Sequence, residues 1–295
     1  MRALAAVLLA LVLASRPSAA ADADRAMDRA HRILAEARAE AARGCGPGSD
    51  ALARVLCAGV LRVGTRADYR GFGFRTPDGA VEGYDADVGR AIGEFLGARW
   101  QFVRVDPRTR MSVLAGREAD LVIATLGHTA ARDPNARFVR PHYYESHTSI
   151  VGRRDARAQN WTDLRSGPTP CVPLAAGSNI IFAQQRIHVL VFDTAQQLAD
   201  ALRQGLCQLA AHDNTFFAAF ARDPAWAARF EPKFGFASLP WGIAAPVDGG
   251  ERFADLLSAL SAAWHADGTF LRLADAHGQD GGFLRDRQTQ FACDG

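Results

Sequence analysis

The stretch from residue 61 to residue 88 constrains the fold more than any other part of this chain. The apolar run Leu61-Arg-Val-Gly-Thr65 gives way to a polar loop reaching Tyr69, a turn is signalled at Pro77-Asp-Gly79, and Glu82-Gly-Tyr-Asp-Ala-Asp-Val88 begins an acidic helix start. Strand, loop and helix in that order make a βα unit, and the alternation continues. Helices are predicted over 88–96 and 111–115, with strands over 100–105 and 121–126. The segment 149–152 reads as the strand that leaves this first set. A second set starts at 161–164, with strands over 171–174, 189–192 and 209–211 and helices over 179–186 and 195–204. Short strands apolar on both faces belong in a sheet covered on both sides, so the fold class is α/β with parallel construction. Residues 242–245 then cross back, and 253–267 forms an amphipathic helix with Phe253, Leu256, Leu257, Leu260 and Trp264 on one face. The chain therefore divides into two lobes, the first of them discontinuous.

A length of 295 residues suits two lobes of roughly 100 residues each plus extensions. With 34 basic and 32 acidic residues the net charge is +2, and no Lys/Arg run forms a nucleic-acid patch, so nucleic acid is excluded as a partner. Met1-Arg2, the apolar run from Ala3 to Ala14 and the small residues Ser18-Ala-Ala-Ala21 read as a secretory signal cleaved near Ala21. A membrane anchor needs ~20 continuous apolar residues, and Arg16-Pro17 interrupts this run. No cysteine follows it to carry a lipid. A soluble periplasmic protein is expected.

Export favours disulfides over metal or redox roles for the five cysteines. No C-x-x-C occurs. Cys45 and Cys57 flank a short Gly/Pro loop, and Cys171 and Cys207 each sit at the start of a predicted strand, where parallel neighbours can meet. Those two bridges would leave Cys293 odd, and other connectivities stay open. Residues 24–43, rich in Ala, Arg and Glu, are expected to form an exposed helix ahead of the main fold, either a docking helix or a packing arm, with a second short helix over 51–58.

Several motifs in order carry a family resemblance: Leu61-Arg-Val-Gly64, Gly83-Tyr-Asp-Ala-Asp-Val88, Ala119-Asp-Leu-Val-Ile-Ala124, Thr129-Ala-Ala-Arg132, Phe138 with Pro141-His-Tyr-Tyr144, Ala176-Gly-Ser-Asn179 and Asp267-Gly-Thr269. From about Val60 to Gly278 the chain resembles family 3 of the extracellular (periplasmic) solute-binding proteins, the amino-acid-binding components of ABC transporters. The resemblance implies a two-lobed, type II periplasmic-binding-protein-like fold with a two-strand hinge. It divides the chain into a signal peptide (1–21), an N-terminal helical extension (22–58), lobe 1 (59–151 and 240–295) and lobe 2 (152–239). It implies a monomer without cofactor or metal that delivers an amino acid to a permease in the inner membrane.

Arg132 matches the family arginine that grips the ligand's α-carboxylate, a task suited to the paired donors of a guanidinium. Thr125 and Gly127 match positions that complete that cradle. Ser178 and Asn179 open a helix in the other lobe and would turn N–H groups and a hydroxyl to the same carboxylate. Asp213 matches the aspartate that receives the α-ammonium; a helix N-cap is the alternative role. Tyr69 would cover the ligand as a lid. Arg66 suits an acidic side chain, which favours glutamate or aspartate, although the usual Pro-Pro-Phe of this loop is Arg70-Gly71-Phe72 here. Arg110 is either structural or adds positive field to the cleft, and if both arginines point inward a dicarboxylate competes.

Two further classes remain. A cyclohexadienyl dehydratase-like enzyme on this scaffold needs a general acid after the positions of Ser178-Asn179, where Ile180 and Ile181 stand. His128, His142, His147 and His212 show no metal-ligand spacing, and no G-x-S-x-G or P-loop occurs. Ala130-Ala131, Arg137 and Arg140 depart from the family pattern, which leaves room for a ligand-sensing or interaction protein without a permease.

Overall fold

The computed structural model describes residues 19–293; the expected leader over 1–21 lies, up to residue 18, outside the described residues. Two sheets carry the architecture. In the first, the order is Arg99–Arg104, Val60–Thr65, Leu121–Val122, Ala244–Ala245, Arg137–Phe138; the first three strands are parallel, and Ala244–Ala245 runs antiparallel to both neighbours. In the second, the order is Leu190–Phe192, Cys171–Pro173, Leu209–Asp213, Tyr144–Arg153, Phe230–Trp241, again with three parallel strands followed by antiparallel pairs. The chain passes between the sheets twice, after Phe138 and after Trp241. This is the two-lobed α/β, type II binding-protein fold. Residues 144–151, placed in the first lobe from sequence, pair within the second sheet.

A small antiparallel sheet, Asp68–Tyr69, Gly73–Arg75 and Val81–Glu82, follows the first strand. Its turn is closed by Gly79 N–H donating to Thr76 O. Gly83, at φ 123°, then lets the helix Tyr84–Leu96 dock against Phe72: a Cβ at this position would lie 2.3 Å from the Phe72 carbonyl oxygen. No other residue fits there. The helix accordingly starts at Tyr84, four residues before the predicted start.

A group of buried aromatic rings lies where the sheets meet. Tyr69, Phe72, Tyr84, Tyr143, Tyr144 and Trp241 are buried to within 1 % exposure, with ring centroids of Phe72 and Trp241 5.0 Å apart and those of Tyr144 and Trp241 5.4 Å apart. Burying each such ring contributes about 1.5–3 kcal/mol, so this cluster anchors the base of the cleft.

Three elements differ from the sequence expectation. Paired strand structure in 121–126 is confined to Leu121–Val122, because the backbone turns at Thr125, where φ is 46°. The strand Phe230–Trp241 was not expected at all, since Pro232, Gly235 and Pro240 punctuate it. It survives as an edge strand, where a missing N–H costs no ladder bond, with register irregularities at Pro232/Phe234 and Phe236/Ser238. The N-terminal helix, Ala19–Ala41, is the packing arm of the two roles expected for it, and not the free-standing exposed helix. Ala30, Leu34 and Ala37 are buried in the core it shares with Glu251–Ala266, and Arg252 pairs with both Glu40 (2.6 Å) and Asp50 (2.7 Å). Alanines on that face let the two helices approach closely.

Cys45 is bonded to Cys57, and Cys171 to Cys207. The second bridge joins the start of Cys171–Pro173 to the segment entering Leu209–Asp213, its parallel neighbour.

Candidate functional site

Loops leaving the carboxyl ends of strands in both sheets face one another, which is where open parallel sheets hold ligands. Between them lies a cavity of about 460 Å³, within the range of small-molecule sites. Arg66, Asp68, Arg110, Thr125, Gly127 and Arg132 line it from the first lobe, Ser178, Thr194, His212 and Asp213 from the second, and Leu239 and Trp241 of the long edge strand complete it.

Arg66, immediately after the strand Val60–Thr65, is 5 % exposed. Its Nε and Nη2 donate to Asp68 Oδ1 and Oδ2 at 2.8 and 2.9 Å, and its guanidinium lies 5.2 Å from the Tyr69 ring centroid. A carboxylate two residues on in an extended segment shares its face, so Arg66 carries its own counter-ion. Arg110 does not. At 6 % exposure its nearest protein acceptor is the Ala124 carbonyl at 3.5 Å, and no carboxylate of the described residues pairs with it. Burial, with the neighbouring charges of Arg132 and Arg66, pushes its pKa down to about 9.

Arg132 ends the short 3-10 turn Ala130–Arg132, is half-buried, and donates through Nη1 to the Gly127 carbonyl. Burial lowers its pKa as well. Gly127 bridges Trp241, but the flanking bonds are His128 N–H to Pro240 O and Gly242 N–H to Leu126 O, so the bridge does not use the Gly127 N–H. Thr125 donates its N–H to Asp85 Oδ2 at 2.8 Å.

Asp213 ends the strand Leu209–Asp213 and takes the N-cap position of Asn214–Ala221, yet its side chain makes no cap bond. Half-buried, it lies 3.4 Å from His212 Nδ1 and 3.5 Å from the Tyr69 hydroxyl. Ser178, half-buried, lines the same wall ahead of the helix Asn179–Gln184.

Two residues singled out from sequence do not reach the cavity. Tyr69 is no lid: it is fully buried among Phe72, Phe216 and Trp241, and its hydroxyl is bonded to Thr215 Oγ1 at 2.7 Å. The alternation of the strand Asp68–Tyr69 turns Asp68 to the cavity and Tyr69 to the core. Asn179 turns back, its Nδ2 donating to Pro173 O at 2.9 Å, and ties together the loop 173–179. Asp68 was missed, although its i, i+2 spacing from Arg66 on an extended segment was a usable signal. Leu239 and Trp241 were missed because their strand was. At the cavity mouth, Arg108 of the first lobe meets Asp193 of the second at 2.7 Å, a pairing no local pattern announces.

Among the described residues no group of three His, Cys, Asp or Glu side chains is placed to hold a metal ion, and no helix is long and apolar enough to cross a membrane. What the cavity offers is a guanidinium-rich wall opposite a carboxylate with no cap duty.

Comparison with known proteins places this geometry. The chain is 28 % identical over 205 residues to a glutamine-binding protein of Geobacillus stearothermophilus, covering 66 % of this chain and 76 % of the relative. It is 25 % identical over 248 residues to a glutamate-binding protein of Corynebacterium glutamicum, covering 77 % and 81 %. A cyclohexadienyl dehydratase of Pseudomonas aeruginosa matches at 28 % over 137 residues, covering 46 % of this chain and 51 % of the enzyme. Among solved structures, a cysteine-binding protein from Campylobacter jejuni superposes with a TM-score of 0.71 at 22 % identity, covering 80 % of this chain and 98 % of that one, a likeness of fold. Residues 61–279 match the profile of the bacterial extracellular solute-binding proteins, family 3, and the chain belongs to that family.

Proposed function

We propose that this protein is a periplasmic receptor for an acidic amino acid, glutamate or aspartate, that passes it to an ABC permease of the inner membrane. The observation that carries the reading is Arg110: a buried guanidinium on the cavity wall with no carboxylate of its own. Leaving a buried charge unpaired is costly, and a second carboxylate on the ligand is the group that would satisfy it. Arg132, with the Gly127 N–H and Thr125, takes the α-carboxylate, and Asp213 takes the α-ammonium. Asp213 favours an amino acid over a plain dicarboxylate, which would bring a further carboxylate and no ammonium to it.

The lobes so served are those built on the two sheets, with the strand Tyr144–Arg153 belonging to the second, after removal of a signal over 1–21, and the receptor works as a monomer. Its mechanism is population shift: contacts made by both lobes to one zwitterion stabilise the closed form. An enzymatic role has less support. After Ser178-Asn179 the chain continues with Ile180, 63 % exposed, where the dehydratase chemistry needs a proton donor.

A thermal-shift screen against the twenty amino acids and a set of dicarboxylates tests the reading, because a ligand that binds only the folded state raises its melting point. Glutamate or aspartate should give the largest shift. A larger shift with arginine or with neutral amino acids refutes the acidic ligand, and turnover of prephenate refutes the receptor.

A further inference from the structure

Asp85 is the most deeply buried carboxylate beside the cavity, and nothing assigned so far explains it. It stands in the first turn of Tyr84–Leu96 at 0 % exposure, one layer behind the cavity wall. Its Oδ2 accepts the Thr125 N–H at 2.8 Å and its Oδ1 accepts the Tyr143 hydroxyl at 2.7 Å. Thr125 is held at φ 46°, a conformation that a β-branched residue keeps only when its surroundings hold it there. Thr125, a wall residue of the proposed carboxylate cradle, is thus fixed by a carboxylate immediately behind it.

We infer that Asp85 is a positioning residue whose proton occupancy is coupled to ligand binding: it fixes the Thr125 turn, and it takes up a proton when an anionic ligand arrives in front of that turn. The coupling rests on the acidic-ligand reading. The groups facing Asp85 are Tyr84 on its own helix, Tyr143 and Tyr144 at the crossing, Tyr69 and Arg66 in the first loop, and the Thr125 backbone. Only Arg66 carries charge, and Asp68 already neutralises it. Burial in this setting pushes the Asp85 carboxyl up to about 6, which leaves it poised to titrate. An incoming carboxylate adds like-charge repulsion and favours the neutral acid further. Protonated on Oδ1, Asp85 can donate to the Tyr143 oxygen while Oδ2 still accepts from Thr125, so positioning survives the proton.

Asp85→Asn mimics that neutral form: its carbonyl oxygen can face Thr125 and its amide can face Tyr143. Calorimetric titration with L-glutamate at pH 5.5 and pH 7.5 tests the coupling. Wild-type affinity should rise by roughly threefold or more from the higher to the lower pH, with proton uptake seen as a buffer-dependent enthalpy at pH 6.5. Asp85→Asn should bind at pH 7.5 at least as tightly as wild type does, with a flatter profile. Every ionisable group other than Asp85 is common to both proteins, so the ratio of the two profiles isolates Asp85. Asp85→Ala, which removes the support of Thr125, should weaken binding roughly tenfold or more. A wild-type pH slope retained in Asp85→Asn, or folded Asp85→Asn without glutamate binding, overturns the inference alone. Wild type that ignores glutamate at both pH values overturns the acidic-ligand reading and the coupling with it.

Discussion

Replacing Arg110 by methionine should move stability and affinity in opposite directions, which few substitutions in a binding protein do. On the cavity wall the charged guanidinium is 6 % exposed with no ion-pair partner among the described residues, and its pKa falls to about 9. At about 1.4 kcal/mol per pH unit, reckoned from the ordinary value of an arginine, that fall is roughly 5 kcal/mol of interaction that the charged form lacks. Methionine fills similar space without the charge, so ligand-free Arg110→Met should be about 1–3 kcal/mol more stable than wild type in urea unfolding. Affinity for L-glutamate goes the other way. Two charge-assisted hydrogen bonds to the side-chain carboxylate, at about 1.5–3 kcal/mol each, are lost, and calorimetry should show a fall of at least roughly a hundredfold. Glutamine, which lacks the second charge, should lose less. A variant that binds glutamate as tightly as wild type refutes the role given to Arg110, and so does a ligand-free variant less stable than wild type by about 2 kcal/mol or more.

Arg132→Ala should abolish the ligand-induced thermal shift while circular dichroism stays unchanged; retained affinity would remove Arg132 from the carboxylate cradle. The Arg108–Asp193 pair spans the mouth between the lobes with both side chains largely exposed, so it is worth about 0.2–1 kcal/mol to the closed form. Asp193→Asn should therefore weaken binding by about 1.4- to fivefold at low salt and by nothing measurable near about 1 M salt, a difference that equal effects at both salt levels would contradict. His265, 2 % exposed, is held by burial at about 4. The unfolded chain takes up that proton first, so stability present above pH ~6.5 is lost as pH falls towards ~4, by roughly 3 kcal/mol from this group. His265→Gln should lose less stability than wild type over that window in pH-dependent urea unfolding, and an equal loss would place the acid sensitivity elsewhere.

The elements of the two sheets were legible in the sequence because their signals are short-range. The helix Ala195–Gln204 has the bounds that periodicity predicts, and the strands Val60–Thr65, Cys171–Pro173 and Leu190–Phe192 lie within a residue or so of their apolar runs. The edge strand Phe230–Trp241 was illegible for the converse reason. Proline and glycine read locally as breakers, and only its place at the rim of a sheet makes them harmless. The helix Ala19–Ala41 looked solvent-exposed because its buried face is made of alanines and one leucine, too weak a stripe to announce a partner more than 200 residues away in the sequence.

For the site, the chain alone set the stock of groups: guanidiniums and carboxylates in the loops that follow strands, glycines where the backbone must turn, and a family pattern that ties them to one cleft. Packing decided their roles. Tyr69 went to the core and Asp68 to the cavity through the phase of a two-residue strand, Asn179 turned back to Pro173, and Asp85 came to rest behind Thr125. Arg66 and Arg110 are the same side chain with opposite fates, one matched by a carboxylate two residues on and the other left open to a ligand. The charge state and use of a buried group depend on which neighbours lie within a few ångströms, and those neighbours come from segments that only the tertiary fold brings together.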